Sequence, residues 1–281
     1  MKKILVTGAT GQLGTELLVL APAYPQYEWI FADRTTITLD NTKLLQTQLK
    51  AINADVIFNC GAYTAVDKAE SEKDLAFKVN HLAIEVIAKY AEENKVKLIH
   101  VSTDYVFDGA SSIALNEEAK TNPINIYGES KLAGEIACLK ENPGSIIIRT
   151  SWVYSKFGNN FVKTMQRLML ERDEINVVND QIGSPTHAAD LAQAMIDIIE
   201  SPKWISGIYN YSNEGEISWY EFAQSIKELG SYNCKIGGIP SSSYPTPAKR
   251  PSFSLLNKEK IKAVYNLNVP DYKESLKKMF I

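Results

Sequence analysis

A tyrosine and a lysine four residues apart are the first side chains in this sequence that could do chemistry together. The stretch IYGESK (126–131) contains Tyr127 and Lys131. In the first turn of a helix, residues at this spacing lie on one face. A tyrosine hydroxyl has an ordinary pKa of about 10, so proton transfer near neutral pH requires a stabilised phenolate. The pair therefore predicts that Lys131 lowers the pKa of Tyr127, which acts as a general acid.

Hydroxyl side chains upstream give this pair a context, since the motif alone often occurs by chance. The run VSTDYVF places Ser102 and Thr103 at the end of a predicted buried strand. In an open α/β sheet, ligands bind at the carboxyl ends of the strands. We expect the hydroxyl of Thr103 to donate a hydrogen bond to a substrate carbonyl oxygen while Tyr127 protonates that oxygen.

Three glycines near the amino terminus predict a phosphate-binding turn. Gly8, Gly11 and Gly14 lie in VTGATGQLG, between a predicted strand and a predicted helix. Glycine allows a tight turn and a close approach of the backbone to a pyrophosphate, and a helix N-terminus offers free amides to that anion. A glycine triplet alone is weak evidence, but the strand before it and the helix after it match a dinucleotide site.

Two adjacent charged residues leave the choice of dinucleotide open. Asp33 follows the second predicted strand, near the roughly 20-residue spacing of the acidic residue that binds the adenosine ribose. An aspartate there favours NADH, because it accepts from a 2′-hydroxyl and repels a 2′-phosphate. Arg34 comes next and could pair with that phosphate. The sequence therefore predicts NADPH or NADH without deciding between them.

Alternating strand and helix patterns predict the elements that position these residues. The predicted strands are KILVT (3–7), EWIFAD (28–33), ADVIFNCGA (54–62), VKLIHVST (96–103) and SIIIRTSWV (145–153). Runs that are apolar throughout, alternating with helices, are typical of a parallel sheet covered on both faces. We predict an α/β fold: a Rossmann-type doubly wound parallel sheet of about seven strands, with a smaller α+β C-terminal substrate-binding region.

The chain should divide into two parts with discontinuous boundaries. Residues 1–153 and about 188–208 are predicted to form the NAD(P)-binding domain, and about 154–187 and 209–281 a substrate-binding cap. In the cap, Ser218 and Glu221 have the spacing of a capping box. The segment 239–257 has four prolines and little periodicity. Its composition fits a linker or disordered loop, but so long a loop in a compact chain is often a wall over a ligand.

Composition excludes several classes of partner. The 281 residues are 45% hydrophobic and 22% charged with a net charge of −3. We expect no nucleic-acid partner and no membrane span, because there is no basic footprint and no apolar run of about 20 residues. Three scattered cysteines without a CxxC motif indicate reduced thiols and a cytoplasmic location. The three histidines show no metal-ligand spacing, so we predict no metal site from them.

Longer motifs add a family resemblance. With the glycine turn, the strand-end hydroxyl and the Tyr-Lys pair in this order, the chain resembles the extended short-chain dehydrogenase/reductase family. GAYTAVDKAE, VSTDYVFDG, NIYGESKLAGE, RTSWVY, GNNFVKTM, NDQIGSPT and YPTPAKRPSFSLLN together resemble the dTDP-4-dehydrorhamnose reductases, from residue 3 to about residue 258. The resemblance implies reduction of the 4-keto group of dTDP-4-dehydro-L-rhamnose to dTDP-L-rhamnose, for cell-surface polysaccharide, with a nucleotide sugar as the small-molecule partner.

The resemblance also assigns roles to individual residues. The implied catalytic residues are Thr103, Tyr127 and Lys131. The implied cofactor-binding residues are Gly8, Gly11, Gln12, Leu13, Gly14, Asp33, Arg34, Ala62, Tyr63, Thr64, Tyr127 and Lys131. The implied substrate-binding residues are Val66, Thr103, Asp104, Trp152, Asn160 and Arg250, with Trp152 packing on the sugar and Asn160 and Arg250 meeting the diphosphate. A guanidinium suits paired phosphate oxygens.

Two alternatives and one metal question remain open at this level. An epimerase or other reductase of nucleotide sugars could use the same tyrosine and lysine, whereas a dehydratase would need a second acid where Tyr105 follows Asp104. A non-catalytic dinucleotide-binding regulatory subunit is the other alternative, although the catalytic set is intact. Some relatives are dimers joined by Mg²⁺. Glu16 and Asp190 could contribute ligands, but the chain ends before a carboxy-terminal acid, so we expect a monomer or weak homodimer.

Overall fold

The structure is a computed structural model that describes residues 1–281. Its main feature is a six-stranded sheet with the strand order β10-β5-β4-β3-β1-β2, in which every neighbouring pair is parallel. The strands of this sheet are β1 (Lys2–Thr7), β2 (Tyr27–Ala32), β3 (Val56–Asn59), β4 (Lys97–Thr103), β5 (Ile146–Thr150) and β10 (Gly207–Asn210). The predicted fold class is confirmed.

Eleven helices and six short strands complete the chain. The helices are α1 (Gln12–Leu20), α2 (Thr42–Ile52), α3 (Val66–Ala69), α4 (Lys73–Phe77), α5 (Ala83–Glu93), α6 (Ile126–Glu141), α7 (Phe161–Glu171), α8 (Ala188–Glu200), α9 (Trp219–Gly230), α10 (Glu259–Tyr265) and α11 (Tyr272–Lys277). The strands outside the main sheet are β6 (Val153–Tyr154), β7 (Glu174–Val178), β8 (Ile182–Gly183), β9 (Thr186–His187), β11 (Ile217–Ser218) and β12 (Lys235–Ile239). No helix is both long and apolar enough to cross a membrane.

The sheet is covered on both faces because successive strand residues point to opposite sides. In β1, Ile4 and Val6 belong to the core cluster that includes α1, α8 and α10. Leu5, between them, belongs to the cluster on the other face, formed with α2, α5 and Cys138 of α6. This alternation explains the uninterrupted apolar strands of the sequence, since a strand buried on both faces has no polar side.

The predicted strand count of about seven is wrong by one. The run 145–153 was expected to be one strand, but β5 ends at Thr150, and Val153 and Tyr154 pair with β9 instead. The backbone turns away from the sheet at Trp152, whose φ is +48°. The sixth strand, β10, lies in a segment that showed no clear strand pattern.

A third core cluster lies outside the sheet and supports the predicted cap. It includes Met165 of α7, Val177 of β7, Phe222 of α9 and Leu276 of α11. The capping box of α9 is present, with Ser218 accepting from the amide of Glu221. In contrast, α10 packs on the main-sheet cluster, although it falls within the range assigned to the cap. The division into two domains remains a prediction.

Candidate active site

The glycine turn after β1 has the shape that a pyrophosphate requires. Gly8 has a φ of +68°, and a Cβ on it would lie 2.7 Å from the backbone of Gly61, in the loop after β3. A Cβ on Gly14 would lie 2.4 Å from the carbonyl oxygen of Gly8. Gly11 begins α1 without a side-chain cap, and the first turn has no acidic residue. The free amides of this turn therefore suit an anion, and the residues fit a dinucleotide.

The loop after β3 is held by an asparagine that the sequence analysis did not identify. Asn80 accepts from the amide of Tyr63 at 2.8 Å and donates to its carbonyl oxygen at 3.0 Å. It also donates to Ser130 Oγ of α6 at 3.0 Å. A π-helical turn (Lys78–Leu82) joins α4 to α5 at this point. The signal for Asn80 in the sequence was a polar amide side chain within the apolar pattern of a helix.

The other predicted residues of this loop lie along the same path. Ala62 and Tyr63 are half-buried, Thr64 is exposed, and Val66 begins α3. The hydroxyl of Tyr63 donates to Glu72 at 2.7 Å. These residues line the crevice between the ends of β1 and β3. In this sheet, that crevice is the point where the strand order reverses.

Tyr127 and Lys131 occupy the first turn of α6, as the spacing predicts. Asn125 is the N-cap and accepts from the amide of Gly128 at 2.8 Å. Lys131 is 2% exposed, and its Nζ donates to the carbonyl oxygen of Val101 in β4 at 2.7 Å. Burial lowers the pKa of Lys131 to about 8, against an upward effect of Glu135. The side chain of Lys131 is therefore held in a buried position by its hydrogen bond to β4.

The predicted lowering of the tyrosine pKa is not found in this structure. Burial raises the pKa of Tyr127 to about 12, the charge of Asp104 adds to the rise, and only the hydroxyl of Thr103 opposes it. The physical reason is that the ammonium of Lys131 is bonded to Val101, one turn deeper. Tyr127 is consequently a protonated phenol at neutral pH, which is the form that a proton donor needs.

The hydroxyl of Thr103 has partners within the chain, and its bond to a substrate carbonyl oxygen stays a prediction. Thr103 Oγ1 donates to Asp104 Oδ1 at 3.0 Å and accepts from the amide of Tyr105 at 3.2 Å. A threonine has one hydroxyl proton. That proton can lie toward Asp104 or toward the phenolic oxygen of Tyr127, whose pKa the same hydroxyl lowers.

Asp104 is a buried carboxyl at the centre of the site. It is 2% exposed, and its Oδ2 has no hydrogen-bond partner. Burial raises the pKa of Asp104 to about 6, and the hydroxyls of Ser254 and Thr103 partly oppose the rise. The Ser254 hydroxyl thus lies near the carboxyl, although it does not meet the geometry of a hydrogen bond to Oδ2.

A buried ion pair supports the strand end below these residues. Arg149 of β5 donates to Glu135 of α6 at 2.7 Å, and both side chains are almost fully buried. Ser102 of β4 donates to the same carboxylate at 2.5 Å. No sequence pattern links these three residues, because they come from three elements. They fix α6 to the strand ends, one turn below Lys131.

The predicted substrate residues lie on several elements, and the cleft expected between the sheet and the cap stays a prediction. Trp152 stacks on Trp219 with ring centroids 3.7 Å apart. Asn160 is the N-cap of α7 and donates to Gln12 Oε1 at 2.9 Å, which puts it beside the glycine turn. Leu13 is buried in the core behind that turn. Of the predicted diphosphate ligands, Asn160 therefore neighbours the cofactor side of the cleft.

Arg250 lies on the opposite wall of the cleft. Its guanidinium forms a two-point ion pair with Asp67 of α3, with nitrogen–oxygen distances of 3.0 and 2.9 Å. The proline-rich segment 239–257 is neither a linker nor disordered: it passes over α6 and bonds to Asn125 through the carbonyl oxygen of Lys249. Together with loops at Asp108 and Gln181 it encloses a cavity of about 490 Å³.

At the far end of the cofactor crevice, Asp33 and Arg34 have different environments. Asp33 accepts from the amides of Thr35 and Thr36 at 2.9 and 3.1 Å, and these bonds lower its pKa. Its carboxylate is therefore folded back into its own turn. Arg34 is exposed. The arrangement leaves the guanidinium free to meet a phosphate.

The two acids considered as Mg²⁺ ligands already have protein partners. Glu16 accepts from Ser155 Oγ at 2.5 Å. Asp190 accepts from Lys278 Nζ at 2.7 Å, from Asn213 at 2.8 Å and from Ser275. Burial opposes the effect, but hydrogen bonds from Lys278, Ser275 and Asn213, with His187 nearby, hold the pKa of Asp190 well below its usual range. An ammonium thus neutralises this carboxylate, and the residues do not fit a resident metal ion.

Comparisons with known proteins show the family of this chain. The family model described as RmlD substrate binding domain matches residues 1–281. The dTDP-4-dehydrorhamnose reductase of Sinorhizobium fredii is 40% identical over 99% of this chain and 96% of its own length. That of Escherichia coli K12 is 39% identical over 98% and 96%. The crystal structure of the Bacillus anthracis reductase in complex with NADP has a TM-score of 0.93 and 38% identity, covering 100% of this chain and 99% of that one.

Proposed function

The chain belongs to the dTDP-4-dehydrorhamnose reductase family, and from this we propose that it reduces the 4-keto group of dTDP-4-dehydro-L-rhamnose to dTDP-L-rhamnose with NADPH or NADH. It is an oxidoreductase of dTDP-rhamnose and polysaccharide biosynthesis. The observation that carries the proposal is the position of Tyr127 and Lys131 in the first turn of α6, beside Thr103 at the end of β4 and next to the glycine turn.

The proton that completes the alcohol comes from Tyr127. A bound nicotinamide dinucleotide supplies the hydride to C4 of the sugar. Tyr127 holds its proton at neutral pH, because its pKa is about 12. It donates that proton to the keto oxygen as negative charge develops there, so the positions of one proton and one hydride account for the reduction. The resulting phenolate is the species that the hydroxyl of Thr103 stabilises, since this hydroxyl is the group that lowers the pKa of Tyr127.

The remaining residues bind and orient. Gly8, Gly11 and Gly14 bring backbone amides to the pyrophosphate. Lys131 reaches the ribose next to the nicotinamide from its position below Tyr127. Trp152 packs on the sugar ring, and Arg250 meets the diphosphate after exchanging part of its ion pair with Asp67. These roles are proposals that rest on the positions of the side chains in the cleft.

NADPH is the cofactor that the geometry favours. Asp33 is engaged by the amides of Thr35 and Thr36, whereas Arg34 is exposed. A free guanidinium pairs well with a 2′-phosphate, and an engaged carboxylate repels it less than a free one. We further propose that the protein works without a metal, as a monomer or weak homodimer, because Lys278 already neutralises Asp190.

The test is the loss of NADPH and NADH absorbance with dTDP-4-dehydro-L-rhamnose prepared in situ. We expect rapid oxidation of NADPH and slower oxidation of NADH at equal concentrations. If the protein binds dinucleotide but oxidises neither, the reductase assignment is wrong, and the epimerase and regulatory alternatives return. If NADH is oxidised faster, the assignment stands and the proposed part of Arg34 is wrong.

A further inference from the structure

Trp152 has a backbone conformation that demands an explanation. Five non-glycine residues have a positive φ: Asn53, Lys95, Trp152, Ser231 and Asn266. Asn53, Ser231 and Asn266 end helices, where a left-handed residue is common. Trp152, with φ at +48°, follows a strand and carries the largest side chain. A bulky residue in this region is an outlier, and such outliers concentrate at functional sites.

Hydrogen bonds on both sides hold Trp152 in this conformation. Ser151 Oγ donates to the carbonyl oxygen of Ser184 at 2.6 Å, and the carbonyl oxygen of Trp152 accepts from the amide of Thr186 at 3.2 Å. Thr150 Oγ1 donates to Thr186 Oγ1 at 3.1 Å. Residues 150–152 are thus bonded to the segment 184–186 at three points, twice through side-chain hydroxyls and once through the backbone. A strained conformation persists where its surroundings fix it in this way.

The indole of Trp152 is fixed as firmly as its backbone. Its ring lies 3.7 Å from that of Trp219, centroid to centroid, with an angle of 12° between the planes. A Cβ on Gly183 would lie 2.9 Å from its Cζ2, so only glycine fits there. Trp219 is itself backed by Phe161 at 4.6 Å. Residues of the cap therefore hold in place a side chain that follows a strand of the sheet.

The stacked pair stands at the catalytic edge of the sheet. Thr150 is paired with Thr103 across β5 and β4, and Trp152 follows two residues later. Both indoles are half-buried, so neither is simply core. An aromatic face suits the apolar C–H face of a hexose, and its tilt decides where the sugar carbon lies. Precise placement of a reacting carbon matters strongly for rate.

We propose that Trp219 is a positioning residue for the sugar: stacking by Trp219 holds the Trp152 indole as a flat platform at the angle that places the reacting carbon of the nucleotide sugar near Tyr127. This inference rests on the proposed function. Trp219 itself acts only through Trp152. The platform joins the two parts of the chain, since one indole comes from each.

Replacement of Trp219 should separate sugar binding from cofactor binding. In Trp219→Ala, we expect kcat/KM for the nucleotide sugar to fall about tenfold to a hundredfold, because the platform is free to tilt. The KM for NADPH should stay unchanged. Trp219→Phe keeps an aromatic face and should restore most of the loss. Trp204→Phe is the matched control, since Trp204 lies away from the cleft and donates to the carbonyl oxygen of Gly144.

Circular dichroism supplies a readout that needs no turnover. A stacked indole pair gives an exciton couplet, which Trp152→Ala and Trp219→Phe should both remove and Trp204→Phe should keep. In the wild-type protein, titration with dTDP-L-rhamnose should change the couplet. A Trp219→Ala protein with the wild-type kcat/KM, or a couplet unaltered by bound dTDP-L-rhamnose, would overturn the proposal.

The same data distinguish failure of this inference from failure of the proposed function. A wild-type protein that does not oxidise NADPH with the keto sugar contradicts the reductase reaction, while a couplet that still responds to dTDP-L-rhamnose supports the platform. If Trp219→Ala does not fold, Trp219→Phe and the wild-type titration decide the question.

Discussion

Tyr127 and Asp104 are both deprived of solvent, and both pKa values rise, but the consequences differ. Tyr127, with a pKa of about 12, keeps its proton at neutral pH. Asp104, with a pKa of about 6, is mostly ionised there although it is buried and its Oδ2 lacks a partner. The first shift provides a proton donor. The second destabilises the fold at a position where Asp104 also receives the hydroxyl proton of Thr103.

Removal of the phenolic hydroxyl should stop the reaction without disturbing the cofactor. Tyr127→Phe is expected to lower kcat by about a thousandfold, since general acid catalysis contributes roughly 10²–10⁴-fold. NADPH binding, followed by fluorescence titration, should be nearly unchanged. Tyr105→Phe is the matched control, because its ring contacts that of Tyr127 edge-to-face at 5.5 Å. An active Tyr127→Phe protein would remove the assigned role.

Asp104→Asn should stabilise the protein at neutral pH. The folded-state pKa of about 6 lies above the ordinary value of about 3.9, so the folded chain holds this proton more tightly. The contribution of Asp104 to the free energy of unfolding is therefore fullest below about pH 4 and declines as pH rises to about 6. A shift of about two pKa units corresponds to roughly 3 kcal/mol in the free energy of unfolding. The amide side chain of the Asn variant is neutral, so the variant does not lose this stability as the pH rises.

Urea unfolding at about pH 7.5 and about pH 4 measures this difference. The advantage of the Asn variant should be large at the higher pH and small at the lower one. Asp108→Asn is the control with the opposite sign, because the amide of Ala110 lowers the pKa of Asp108. An advantage of Asp104→Asn that does not depend on pH would exclude the ionisation as its cause.

Among the secondary-structure elements, the N-terminus of α6 connects the parts of the active site. Asn125 caps the helix and also donates to the carbonyl oxygen of Lys249 at 2.7 Å. Its one side chain thus orients the turn that contains Tyr127 and attaches the wall of the cleft. The π-helical turn at Asn80 does the same for the loop at Tyr63.

Variants of Asn125 should separate these two contacts. Asn125→Ala loses both and is expected to cost about 1–2 kcal/mol of stability and to lower kcat/KM about tenfold. Asn125→Asp keeps the capping acceptor but loses the donor to Lys249, so it should remain nearer the wild type in stability while KM for the sugar rises. Asn41→Ala removes the cap of α2, away from the site. It should cost about 1 kcal/mol without changing kcat/KM.

At the scale of the whole molecule, the segment 239–257 holds the two parts together over the cleft. Arg250 reaches Asp67 of α3, and Ser252 Oγ donates to the carbonyl oxygen of Gly109 at 2.9 Å. The same segment bonds to β8 of the cap through the amide of Ile182 and the carbonyl oxygen of Ser252 at 2.8 Å. The segment thus connects the loop at Gly109, α3 and β8 through its own contacts.

Arg250→Ala should raise KM for the nucleotide sugar about tenfold and leave KM for NADPH unchanged, because the lost guanidinium faces the substrate side. Arg250→Lys should recover little, since an ammonium does not provide a two-point contact. Arg167→Ala changes the net charge equally on exposed α7 and serves as the control. Equal KM values for the Arg250 and Arg167 variants would contradict a diphosphate contact.

Chelation should have no effect on assembly or rate. Lys278 Nζ lies 2.7 Å from Asp190 Oδ1, so the carboxylate has its counterion within the chain. Light scattering and turnover in EDTA and in excess Mg²⁺ are expected to agree. A mass that doubles with Mg²⁺ would show that the ion displaces the lysine.

The sequence by itself determined the fold class, the glycine turn and the spacing of Tyr127 and Lys131. Each of these depends on local rules: an apolar period, a backbone that only glycine accepts, and one turn of a helix. It also determined the capping box of α9 and the family. Such local patterns can be recognised in the sequence because residues that are neighbours along the chain remain neighbours in space.

Long-range packing was needed to establish the protonation of Tyr127 and the partners of Asn80, Thr103, Asp104 and Trp152. A pKa depends on desolvation and on charges brought from other elements, which no spacing in one segment reveals. The end of β5 at Thr150 was equally hidden, because hydrogen bonds from residues 184–186 turn the backbone away from the sheet. Contacts between residues far apart in the sequence settled how these groups face one another.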